Sequence, residues 1–95
     1  MENNDINREL LINNMTDNLA MLRTRLGLTQ EELADKIGVS RSTVISIENK
    51  KRTMTWNTFL SLVLLFIKNE STNKVLNVLG IYTDEFNGFI KDKKE

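Results

Sequence analysis

Residues 30–49 read QEELADKIGVSRSTVISIEN, and two short helical patterns meet there across one glycine. Leu33, Ala34 and Ile37 fall at i, i+1 and i+4, an apolar stripe on one helix face. Thr29 precedes this helix and Glu32 stands three residues later, the arrangement of a capping box. Gly38 follows Ile37, where a helix ends most easily in a left-handed residue, and Val39 supplies an apolar plug for the corner. Ser40 then caps a second helix over residues 40–48, in which Val44, Ile47 and Glu48 share a face. Two helices joined by a tight glycine-containing turn in so short a span make a helix-turn-helix.

Many helical hairpins share that periodicity, so the residue types at each position matter more. The stretch resembles the helix-turn-helix of the phage repressor and Cro family, the XRE-type regulators. That family has Gln first, a small residue fifth, Gly ninth, and branched apolar residues fifteenth and eighteenth. Here these are Gln30, Ala34, Gly38, Val44 and Ile47. The resemblance extends over roughly residues 19–65. It implies an all-α, lambda-repressor-like domain of five to six helices whose second motif helix reads double-stranded DNA. Two positions depart from the family: Lys50 and Met54 stand where Gly and Pro are common. Asn49 is expected to adopt the left-handed conformation in place of that glycine.

The chain has 95 residues, enough for one helical core, and contains no proline, cysteine or histidine. That removes disulfides, thiolate chemistry, and the commonest general base and metal ligand. With no nucleophile–base set, phosphate loop or metal-ligand spacing, no enzyme activity, metal or cofactor is expected. The acidic pairs Glu31–Glu32 and Asp84–Glu85 sit where helix N-termini favour them. The longest apolar run, residues 62–67, is a buried helix segment rather than a membrane span, which needs about 18 residues. The chain opens without the apolar run of a signal peptide, and a cytoplasmic location is expected.

The formal net charge is zero, but the charges are unevenly placed. Residues 36–74 carry Lys36, Arg41, Lys50, Lys51, Arg52, Lys68 and Lys74 against Glu48 and Glu70 alone. Residues 1–35 carry Glu2, Asp5, Glu9, Asp17, Glu31, Glu32 and Asp35 against three arginines. The basic excess surrounds the second motif helix, where a phosphate-binding segment needs it.

Three regions are expected: a polar N-terminal segment over residues 1–16, the DNA-binding domain over 17–68, and C-terminal helices over 69–95. In the first, Ile6, Leu10 and Leu11 give a faint stripe that Ile12 and Met15 do not complete cleanly. A core helix follows over about residues 17–26, with Leu19, Leu22 and Leu26 on one side. A further helix over residues 56 to about 68, capped by Thr55, is apolar around nearly its whole circumference in its second half and needs cover on two sides. Residues 73–79 and a short helix after Thr83, with Phe86, Phe89 and Ile90 as its stripe, are candidates for that cover. The expected arrangement is nevertheless a homodimer joined through the helices after Thr55, with Phe66 and Phe89 at the interface; the competing one is a compact monomer whose C-terminal helices fold back over that helix. Lys91, Lys93 and Lys94 suit the end of the last helix.

The family resemblance assigns roles to individual positions. Arg23, set among leucines, pairs with Glu48, the alternative being that it extends to solvent. Arg41, Ser42, Ile45 and Ser46 lie away from the core face of the second motif helix and are the candidate base readers. Arg41 suits guanine and Ile45 a thymine methyl, though Ile45 could equally pack on a neighbouring helix or loop. Thr43 is borderline between groove and scaffold. Gln30, Ser40, Asn49, Lys51 and Arg52 are candidate phosphate contacts. The function these imply is a sequence-specific transcriptional regulator acting as a repressor. The competing class is an antitoxin or similar module whose C-terminal helices hold a partner protein such as a toxin.

Overall fold

Hydroxyl and amide caps cut the chain into helices, in a computed structural model that describes residues 6–91. Asn7, Thr29, Ser40, Thr55 and Thr83 each accept a hydrogen bond from a backbone N–H in the first turn of the helix that follows. The helices are α1 (Arg8–Arg25), α2 (Gln30–Ile37), α3 (Arg41–Glu48), α4 (Trp56–Lys68), α5 (Glu70–Asn73) and α6 (Asp84–Ile90). Among the described residues there is no strand, so the fold is all-α as expected. Glu2, Asp5, Lys93 and Lys94 lie outside the described residues.

The first helix is longer than expected. It starts at Arg8, not near Asp17, because Leu11, Met15, Leu19 and Leu22 form one buried stripe at helical spacing. Thr16 and Asn18, on either side of the expected start, bond back along the helix instead of interrupting it. The Thr16 hydroxyl donates to the Ile12 carbonyl at 2.8 Å and the Asn18 amide to the Asn14 carbonyl at 2.8 Å. The polar N-terminal segment therefore contributes two core residues, Leu11 and Met15.

Helix α4 packs against α1, α2 and α5 and buries Phe59, Leu62, Val63 and Phe66. Its second face is covered by the chain itself. Phe86 of α6 meets Phe59 edge-on at 5.7 Å and Trp56 at 6.0 Å between ring centres, and Tyr82 meets Phe86 at 5.6 Å. Arg8 closes the cluster, its guanidinium carbon 4.9 Å from the Trp56 ring centre and 5.6 Å from that of Phe89. Of the α4 residues, Leu64 stays prominently outside at 64% exposure. Phe66 has no exposed surface, so its ring cannot meet a second chain in this fold, while Phe89 is half-buried.

The return path is a turn-rich strap after α5 rather than a continuous helix. Buried Thr72 donates to the Phe66 carbonyl at 2.7 Å, fixing the bend after α4. Leu76 and Ile81 enter the core, and Val78 points to solvent. Gly80 has φ 73°, and its carbonyl accepts from the Asn14 side chain at 3.0 Å. A Cβ there would stand 2.7 Å from the Asn14 side-chain nitrogen and displace the group that makes this bond, and the positive φ itself favours glycine.

The early half of α1 thus belongs to the core. Met15→Ala is expected to cost about 2–5 kcal/mol in urea unfolding, the range for truncating a buried large side chain. A loss below about 0.5 kcal/mol, the range of ordinary surface substitutions, would mean that this half-helix is only a frayed extension.

Candidate nucleic-acid interface

Helices α2 and α3 form the hairpin that the sequence predicts. Thr29 and Glu32 make both bonds of the capping box, and Gly38 ends α2 with φ 77°. The Gly38 and Val39 N–H groups both donate to the Ala34 carbonyl, at 2.9 and 3.0 Å, which closes the corner. Leu33 and Ala34 from α2, with Val44 and Ile47 from α3, are buried.

The back of α3 is held by a polar cluster beside this apolar seam. The Arg23 guanidinium donates to both Glu48 carboxylate oxygens, Nε at 2.8 Å and Nη2 at 3.1 Å. Its third nitrogen, Nη1, donates to the Leu28 carbonyl at 2.9 Å, and the Gln30 amide donates to Glu48 at 3.0 Å. One side chain from α1 and one from α2 therefore fix the C-terminal end of α3. The Arg23 and Glu48 side chains are only 17% and 8% exposed. The hydrogen bond to Glu48 raises the Arg23 pKa above its ordinary value, against the opposing effect of burial. A raised value on so basic a group leaves Arg23 charged at every ordinary pH. Its contribution would be lost only as pH rises through that folded-state value.

On the other side of α3, Arg41 and Ser42 are exposed and Ser46 is half-buried. Ile45 is also half-buried and is not among the side chains packed on the core. The four proposed base readers thus lie on or beside one outward face. The proposed phosphate contacts divide. Asn49, Lys51 and Arg52 are exposed, whereas the Gln30 side chain is engaged with Glu48 and the Ser40 hydroxyl takes the Thr43 N–H at 3.1 Å. Sequence reading left Thr43 undecided. Its hydroxyl is 2.9 Å from that of Ser40 and accepts from Arg52 at 3.2 Å. The hydroxyls clustered at 40, 42 and 43 were a usable signal; their link to Arg52 was not visible along the chain.

The turn after α3 departs from the expected course. Asn49 keeps φ −86°, and Lys50 carries the positive φ of 61°. The Lys51 N–H reaches back to the Ser46 carbonyl at 2.9 Å, and this closure places Lys50 in the left-handed position. The Lys50 ammonium lies 2.8 Å from Asp17, but both side chains are more than half exposed, so the pair adds little stability.

Comparison with known proteins agrees with this geometry. Residues 19–55 match the family described as Helix-turn-helix. An uncharacterized HTH-type transcriptional regulator of Methanothermobacter thermautotrophicus (strain Delta H) is 62% identical over 26 residues. That match covers 27% of this chain and 38% of the relative. The aligned part is thus well under two thirds of the relative's length. No solved structure matches.

The polar brace makes its own prediction. Arg23→Met and Glu48→Leu should each cost about 3–5 kcal/mol, because each strands a buried charge, and the double variant should cost less than their sum. Additive losses in denaturant unfolding would show that the two side chains act independently.

Proposed function

We propose that this protein, whose residues 19–55 carry a helix-turn-helix of the matching family, is a sequence-specific DNA-binding transcriptional regulator acting as a repressor. The observation that carries the reading is the division of α3 into two faces. Val44, Ile47 and Glu48 are fixed to the body of the protein, and Arg41, Ser42, Ile45 and Ser46 are on or beside the opposite side. Inserted in the major groove by its N-terminal half, α3 would bring these side chains to base edges. Arg41 would donate two bonds to a guanine, and Ile45 would cover a thymine methyl. Lys51, Arg52 and Asn49 flank the helix and would hold the phosphates, fixing register without reading sequence. Repression would follow from occupying a site that transcription needs.

Two copies on a near-palindromic site are part of the proposal, because one such motif reads only a few base pairs. The buried Phe66 ring has no part in that pairing. A second reading, capture of a partner protein such as a toxin, draws on Val78 and Ile90, which are 85% and 54% exposed in the C-terminal region.

Selection of bound sequences from random DNA, with titrations at two salt concentrations, tests the main reading. Arg41→Ala should lose about 1–3 kcal/mol at one base position and relax the preference there. Lys51→Ala should weaken all sequences alike and reduce the salt slope by about one. Failure of the unaltered protein to enrich any sequence would contradict the proposal. Sedimentation equilibrium at micromolar concentration should give a dimer mass, with the full site bound more tightly than a half-site. A monomer mass with equal affinity for both would remove the second copy. Phe66→Glu should unfold the protomer rather than release a folded monomer.

A further inference from the structure

Three hydroxyls and one guanidinium form a chain at the start of α3. The Arg52 Nη1 donates to the Thr43 hydroxyl at 3.2 Å, which lies 2.9 Å from the Ser40 hydroxyl, itself 3.1 Å from that of Ser42. Ser40 Oγ also accepts the Thr43 backbone N–H at 3.1 Å. Arg52 and Ser42 are both exposed, so the chain runs from one solvent-facing side chain to another through a cap.

Each hydroxyl has one proton and two acceptor sites, which leaves two ways to fill the chain. In one, Thr43 donates to Ser40 and Ser40 donates to Ser42, so the Ser42 proton is free and faces outward. In the other, Ser42 donates to Ser40 and Ser40 to Thr43, so Ser42 presents an acceptor. Both arrangements make the same number of bonds, and bond counting does not choose between them. The charge on Arg52 does. A guanidinium stays protonated, and a cation favours hydroxyl dipoles whose oxygens face it and whose protons point away. That field selects the first arrangement, and each bond in the chain polarises the next in the same sense.

We propose that Arg52 is a specificity-determining residue that acts at a distance, by fixing Ser42 as a hydrogen-bond donor toward the DNA. This rests on the DNA-binding reading given above and adds the chemical class of base edge that Ser42 takes. A Ser42 donor matches the acceptors of the major groove: guanine N7 and O6, adenine N7 and thymine O4. Opposite the cytosine N4 amino group Ser42 could use only its remaining acceptor site, leaving its outward proton unpaired, so that base is disfavoured. Arg52 does not touch this base; it positions the proton through Thr43 and Ser40. Without the charge, both hydroxyl arrangements become equally available, and Ser42 accepts donor and acceptor edges alike.

The test is selection from random DNA with the full chain and four variants, each checked by thermal melting. Ser42→Ala identifies the base position that Ser42 reads, as the position whose preference it alone removes. Arg52→Ala should reduce the preference against cytosine at that position, by about fivefold or more, beyond any general weakening. Thr43→Val, which keeps the shape and breaks the chain, should reproduce that loss while leaving the phosphate contact of Arg52 in place. Lys51→Ala, a neighbouring exposed cation outside the chain, should weaken every sequence and leave the preference unchanged. If Arg52→Ala behaves like Lys51→Ala, Arg52 is a phosphate contact only and the proposal is overturned. If Ser42→Ala changes no position, the proposal is overturned while DNA binding stands. If the unaltered protein enriches no sequence, the failure lies in the DNA-binding reading itself.

Discussion

The bidentate ion pair between Arg23 and Glu48 is the constraint on which the placement of α3 depends. It joins the first helix to the third at a point where both side chains are largely removed from water. Charges in that position are costly unless their hydrogen-bonding capacity is filled. Here it is filled from both sides: Leu28 offers its carbonyl to the arginine, and Gln30 gives its amide to the glutamate. These bonds have directions, unlike the apolar contacts of Leu33, Ala34, Val44 and Ile47 beside them. The apolar seam holds α3 against the body, and the polar cluster fixes its rotation and its end. An ion pair of this kind is better understood as specifying an arrangement than as a large source of stability.

Fixing one side of α3 defines the other. With Val44, Ile47 and Glu48 turned inward, helical periodicity directs Arg41, Ser42 and Ile45 away from the core. The lysines and arginine that follow α3 are exposed beside this face, so positive charge gathers there although the chain as a whole is neutral. The left-handed residue at Lys50 turns the chain immediately after α3 and brings Arg52 back to Thr43, near the helix start. Charge distribution, turn geometry and helix orientation all mark the same face.

The middle of the chain was legible because its boundaries are set by local chemistry. Thr29, Glu32, Gly38, Ser40, Thr55 and Thr83 act where their side chains or backbone freedom dictate, whatever the rest of the protein does. The extent of α1 was not legible, because residues 1–16 are polar with only a faint stripe, and only the fold shows Leu11 and Met15 joining Leu19 and Leu22 in the core. The α4 surplus of apolar surface was read correctly as needing cover, but the second copy expected there is not what buries Phe66: the strap brings Phe86 onto Trp56 and Phe59 within the same chain. That arrangement is set by long-range packing, including the Asn14 bond to Gly80. At the site, a charge within a leucine stripe pointed to a partner for Arg23, and family likeness supplied Glu48. Thr43 was left undecided because its link to Arg52 spans a turn whose left-handed residue was expected one position earlier.

The account stands on the outward face of α3 being the surface that meets DNA. Backbone amide shift mapping during titration with a selected duplex measures this most directly. The largest changes are predicted over residues 40–46 and 49–52, with little change at the buried positions of α4. Changes concentrated instead around Val78 and Ile90, or no change at a duplex concentration that saturates binding, would contradict it.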